Sequence, residues 1–200
     1  MLEKNCPLEI FASECKRRSS ENAKNASGNQ HTLSERQLTD IDNKTAEYLA
    51  KEKNLWVDFS DIISLGVPAP SGVENDVYLN VDTNVVYKVN NLMTSRSVSL
   101  FLDRIILHNT VFPQTRYDLY GFTGFGNGSI YPIIVQDYIA NAIHATPDEI
   151  EEYMANMGFV SCGNARFSNG DIEVLDLHPR NVLKDCDGDF YVVDADFRTI

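Results

Sequence analysis

Three side chains toward the C-terminal end of this sequence have the types and spacing that chemistry needs. Asp176 directly follows the apolar run 172–175, Asn181 directly precedes Val182-Leu183, and Asp194 ends Tyr191-Val192-Val193. Strand ends bring side chains together at one edge of a sheet, so Asp176, Asn181 and Asp194 are placed to converge. Such a set of oxygens suits magnesium, which takes few protein ligands, keeps water and completes its shell from substrate phosphates. Asp and Asn also cap turns, and that plainer role stands beside the metal role. Nearby Asp185-Cys186-Asp187-Gly188-Asp189 invites a calcium loop. An EF-hand loop, however, needs Gly at its sixth place and Glu at its twelfth. Phe190 and Asp196 stand there, so the segment reads as a hairpin turn. His178 reads as an anchor for its own loop, and Cys162 and Cys186 as ordinary thiols.

The elements that must position these residues come from a chain of 200 residues and 22.5 kDa with a formal charge of −12. That is one ordinary domain with or without a tail. So acidic a chain repels phosphates, which excludes nucleic acid as a partner. No apolar run approaches the roughly 20 residues of a membrane span, and residues 1–10 lack the apolar stretch of a signal peptide. Cys6, Cys15, Cys162 and Cys186 are far apart, which argues against structural zinc and disulfides and fits a reducing, cytoplasmic setting.

Residues 1–45 are rich in Ser, Asn, Lys and Glu and read as a flexible polar arm. Leading helices are expected over 46–65, the second of them an amphipathic stretch from Leu55 to Leu65 stopped by Gly66. Residues 67–72, with two prolines and a glycine, read as irregular. The period then changes. Segments 77–81 and 84–89 form a hairpin, 95–109 a largely buried helix, and 117–123 with 129–138 a second hairpin. Thr146-Pro147-Asp148-Glu149 opens a helix with a capping box and ends near Gly158. Short strands follow at 165–167 and 172–175, and a last hairpin pairs 182–183 with 190–193.

Asp176-Leu177-His178-Pro179-Arg180-Asn181, with Asp194 beyond it, resembles the catalytic segment of protein kinases and of aminoglycoside/choline-type small-molecule kinases. In them an Asp is followed five positions on by an Asn. The wider pattern resembles the kinase-like domains of polyvalent proteins of bacterial mobile elements. It includes Gly72-Val73-Glu74-Asn75, Val86-Tyr87-Lys88, residues 107–113, residues 145–150 and the Asp176 loop, and it covers roughly residues 60–198. The resemblance implies an α+β fold: a kinase-like N-lobe over 66–138, with an antiparallel sheet and one long helix, and a minimal C-lobe remnant over 139–200. It implies ATP and magnesium as cofactors. Lys88 would meet the α- and β-phosphates, Asn181 and Asp194 would hold the metal, and Asp176 would orient and deprotonate an acceptor hydroxyl. Gly66 and Gly72 would let backbone approach the nucleotide, and Gln136 and Tyr138 would lie where adenine is held.

The same comparison shows departures. The helix at 95–109 holds no Glu to pair with Lys88, its only acid being Asp103. The segments that hold acceptors in those families would follow Asp194, yet the sequence stops at Ile200. Full activity is therefore expected to need a partner or a longer parent protein. Slow autophosphorylation is expected on arm serines such as Ser19 and Ser20. Two other classes compete with a phosphotransferase: a catalytically degenerate nucleotide-binding or interaction module, and a metal-dependent hydrolase.

Overall fold

A helix opens the described chain, and its buried positions show why it forms. The computed structural model describes residues 7–28 and 32–200. In it α1 (Pro7–Ser27) buries Leu8, Phe11, Ala12 and Cys15. Their spacing of three, one and three is a single helical face. The flexible arm expected over 1–45 is therefore corrected where it can be seen; residues 1–6, Cys6 among them, and residues 29–31 lie outside the described residues. Four apolar groups suffice because all four enter one core. The polar half is tied to α2 (Glu35–Glu52) through Arg18, whose two terminal nitrogens meet the two Glu52 oxygens at 2.9 Å. Ser34 and Gln37 form a capping box at the start of α2.

The amphipathic helix expected over 55–65 is reduced to a 3₁₀ turn at Phe59–Ser64. The backbone of 55–57 is already committed elsewhere. Phe122 N–H donates to the Leu55 carbonyl at 2.8 Å and Val57 N–H to the Phe122 carbonyl at 2.7 Å. Residues expected to be irregular contribute β1 (Val67–Ala69), whose Pro68 is tolerated on an edge strand. Then come the hairpin β2 (Asn75–Asn80) and β3 (Val85–Asn90), the helix α3 (Val98–Val111), and the hairpin β4 (Asp118–Gly126) and β5 (Ser129–Asp137). They form an antiparallel sheet of order β1-β2-β3-β5-β4. One core joins α1, α2 and α3 to this sheet through Phe11, Leu49, Phe101, Leu102, Phe122 and Ile134. Val89 and Ile133, partners in register on β3 and β5, pack with Ile62 and Leu65 instead.

This first unit comprises residues up to 106 and 117–138; the second comprises 107–116 and 139–200. The second holds β6 (Ile143–His144), α4 (Pro147–Asn156), β7 (Val160–Gly163), β8 (Arg166–Ser168), β9 (Ile172–Leu175), β10 (Val182–Lys184), β11 (Phe190–Val192) and β12 (Asp196–Thr199). Two antiparallel sheets result, ordered β11-β10-β6 and β12-β9-β8-β7. α4 starts as its sequence requires: Glu149 N–H donates to Thr146 Oγ1, and the Glu149 carboxylate accepts from Thr146 N–H. Phe112, Ile150, Met154, Phe167, Val174 and Val182 form this unit's core. The molecule is thus a mixed α/β protein with antiparallel sheets. Among the described residues no helix is long and apolar enough to cross a membrane.

Candidate functional site

Lys88 lies on β3, in a row with Val77 of β2, Ile134 of β5 and Leu119 of β4. Aligned residues of neighbouring strands share a sheet face, so Lys88 stands on the face that Ile134 presents to the helices. A lysine in an alternating strand ordinarily reaches solvent. Lys88 is instead only 8% exposed. A buried ammonium needs acceptors, and Nζ donates to the Tyr117 hydroxyl at 2.8 Å. Gln136 pairs with Val86, two residues before Lys88, so it occupies the same face and is also buried. Tyr138 is exposed just beyond β5, where its N–H donates to the Asn84 carbonyl at 3.0 Å.

The two glycines differ. A Cβ on Gly66 would stand 2.4 Å from the Leu79 carbonyl oxygen, so glycine there is required by close backbone packing. A Cβ on Gly72 would meet nothing within 4 Å, in the exposed loop before β2.

In the second unit, Asp176 follows β9 with φ +64°, a left-handed backbone that Asp tolerates better than most residues. Leu177 next to it is buried, and its N–H donates to the Ala165 carbonyl at 3.0 Å. That anchor leaves the Asp176 carboxylate exposed. Asn181 closes the loop: Nδ2 donates to the Asp176 carbonyl at 3.0 Å and to its Oδ2 at 3.1 Å. His178 Nε2 lies 3.4 Å from Asp176 Oδ1, and His144 Nδ1 lies 2.9 Å from the Pro179 carbonyl. Val193 N–H donates to the Asn181 carbonyl at 2.9 Å, which sets Asp194 one residue past the pairing with Asn181. Asp194 is partly buried, and among the described residues no hydrogen bond or ion pair engages its carboxylate.

The structure therefore joins Asp176 to Asn181 directly, brings the Asp194 backbone beside them, and sets Lys88 and Gln136 on one sheet face. The chemistry of these donors fits magnesium and a nucleotide. With Nδ2 of Asn181 turned to Asp176, its remaining polar atom is Oδ1, an oxygen of the kind magnesium takes. Tyr117 is the residue that the sequence alone did not mark. Only the strand register shows that position 117 shares the parity of Leu119 and hence the face of Lys88.

The plainer neighbours behave as their surroundings dictate. Asp185 accepts from the N–H groups of Asp189 and Asp187, and these bonds, with the Tyr191 hydroxyl, hold its carboxyl below the ordinary range. This is turn chemistry. Burial pushes the Cys15 thiol up to about 11, so it is no nucleophile. Ser19, expected on a flexible arm, sits within α1 and donates to the buried Asp42 carboxylate at 2.9 Å; Ser20 is exposed on the same helix.

A strand lysine, an Asp-to-Asn loop and a following Asp, carried in this order on a mixed α/β fold, define a kinase-like protein. The chain belongs to the family of serine/threonine/tyrosine kinases found in polyvalent proteins, whose match spans residues 41–200. The matched segment begins in α2 and leaves α1 outside it. No curated protein matches the chain.

Proposed function

We propose that this chain is an ATP- and magnesium-dependent phosphotransferase that moves a phosphoryl group to a hydroxyl of a protein or small molecule. The observation that carries the reading is the Asp176–Asn181 clasp. A loop that spends its amide nitrogen on orienting a carboxylate presents both an acceptor-side base and a metal-side oxygen. The first unit plays the part of the N-lobe and the second that of a minimal C-lobe. Asn181 Oδ1 and the Asp194 carboxylate would hold magnesium, which would supply positive charge to offset that of the phosphates. Lys88 meets the α- and β-phosphates. Asp176 accepts the proton of the attacking hydroxyl as its oxygen bonds to the γ-phosphorus, and the bond from that phosphorus to the β-phosphate oxygen breaks to release ADP. Gln136 and Tyr138 border the base, and the loop around Gly72 covers the phosphates. A partner or a longer parent protein supplies the acceptor site, and the setting is the cytoplasm.

One observation favours the degenerate reading, a module that binds nucleotide without turnover. Asp103, the only acid of α3, pairs with Lys16 of α1. Labelled ATP separates the classes. The γ-label moves to an acceptor in a phosphotransferase, stays on ATP in a degenerate module, and appears as inorganic phosphate in a hydrolase. Retention of all label on ATP with added proteins and small alcohols, in a longer parent chain too, overturns the proposal.

A further inference from the structure

In kinases the strand lysine is held for the phosphates by a glutamate of the following helix. α3 offers no glutamate, and its one acid is turned to Lys16. Glu74, the acid just before β2, is in turn bonded to Arg104 at 3.4 Å. The sheet itself supplies a partner of another kind. Tyr117, immediately before β4, is 2% exposed, and its ring packs in the core that holds Phe11, Phe101, Leu102 and Phe122. Its hydroxyl accepts from Lys88 Nζ at 2.8 Å, and the ammonium lies 4.9 Å from the ring centroid.

We infer that Tyr117 is a positioning residue for phosphoryl transfer, aiming the Lys88 ammonium through its hydroxyl from a ring fixed by the helical core. The inference rests on the nucleotide role of Lys88 proposed above. A phenol differs from a carboxylate in one respect that matters. It is neutral, so its hydroxyl orients Lys88 without itself cancelling the lysine's charge. It is also enclosed by the core. A glutamate on a moving helix can release its lysine, whereas Tyr117 cannot leave without opening the core that α1, α2 and α3 share.

The test is calorimetric titration of the full chain with magnesium and a non-hydrolysable ATP analogue, for wild type, Tyr117→Phe, Lys88→Met and the double variant. Tyr117→Phe keeps the ring and removes the acceptor. A hydrogen bond to a charged group is worth enough that its loss should weaken nucleotide binding by about tenfold or more. In the Lys88→Met background the same change should add nothing, because Tyr117 acts only through Lys88. Ile105→Val, which trims the same core without touching the hydroxyl, should lower the melting temperature and leave the affinity as in wild type. If Lys88→Met weakens binding and Tyr117→Phe does not, the inference falls while the phosphotransferase reading stands. Equal weakening by Tyr117→Phe in both backgrounds also overturns it, since the tyrosine would then act by packing. Unchanged binding in Lys88→Met removes the lysine from the site, and the inference with it.

Discussion

Lys88 and Asp176 are held in opposite ways. Lys88 is buried, and what fixes it comes from distant sequence: a row across four strands and a tyrosine immediately before β4. Asp176 is exposed, and what fixes it is mostly local: its own left-handed backbone, the buried Leu177 and the amide of Asn181. A charge placed by a core is sensitive to changes that displace its anchor in that core, here the Tyr117 ring. A charge placed by a short loop is sensitive only to that loop.

The largest expected effect lies in the loop. Asp176→Asn keeps a residue that tolerates positive φ and removes the base, so phosphoryl transfer should fall by about 10²–10⁴-fold with the fold unchanged. Steady-state rates and a circular dichroism spectrum of the variant check this. A melting temperature lowered along with the rate would blur the contrast, because it would make the loop structural.

In the core, Phe11→Ala removes a fully buried ring whose centroid lies 4.6 Å from that of Phe122, the two rings tilted by 30°. It should cost about 3–5 kcal/mol in denaturant unfolding. Hydrogen exchange should quicken at the amides around Lys88 and Tyr117. Unchanged protection there would show that α1 does not steady the Lys88 face.

Smaller effects belong to α4, where the support is again local. Thr146→Ala removes the cap and should cost about 1 kcal/mol. The Lys184 ammonium, then the backbone and hydroxyl of Thr146, hold the Glu149 carboxyl down to about 2. A carboxyl lowered on folding stabilises fully above its ordinary value and loses that contribution as pH falls toward the folded value. Thermal melts of wild type and Glu149→Gln should therefore differ at pH 6 and converge near pH 2. A gap that widened in acid would contradict the sign.

The same contrast explains what could be read from the sequence. The Asp176–Asn181 step, the α4 capping box and the two hairpins of the first sheet are local patterns, and each lies where its spacing placed it. Burial of Lys88 was not legible, because its row with Ile134 and Leu119 exists only after β3, β5 and β4 pair. α1 escaped notice for a related reason: four apolar residues in its first half look like noise until one core takes them all. β7 and β12 carry too few large apolar residues to stand out, and Leu55–Val57 gave up helix to hydrogen-bond with Phe122.

In the proposed mechanism Asn181 and Asp194 would hold magnesium with ATP, and Asp176 would assist transfer of the γ-phosphoryl group to a hydroxyl with release of ADP. The most direct test of this mechanism is mass spectrometry of the chain incubated with magnesium and ATP, beside an Asp194→Ala variant. Slow phosphorylation of the wild type is expected, dependent on magnesium and absent from the variant. Equal phosphorylation of both, or labelling that persists when magnesium is chelated, would contradict it.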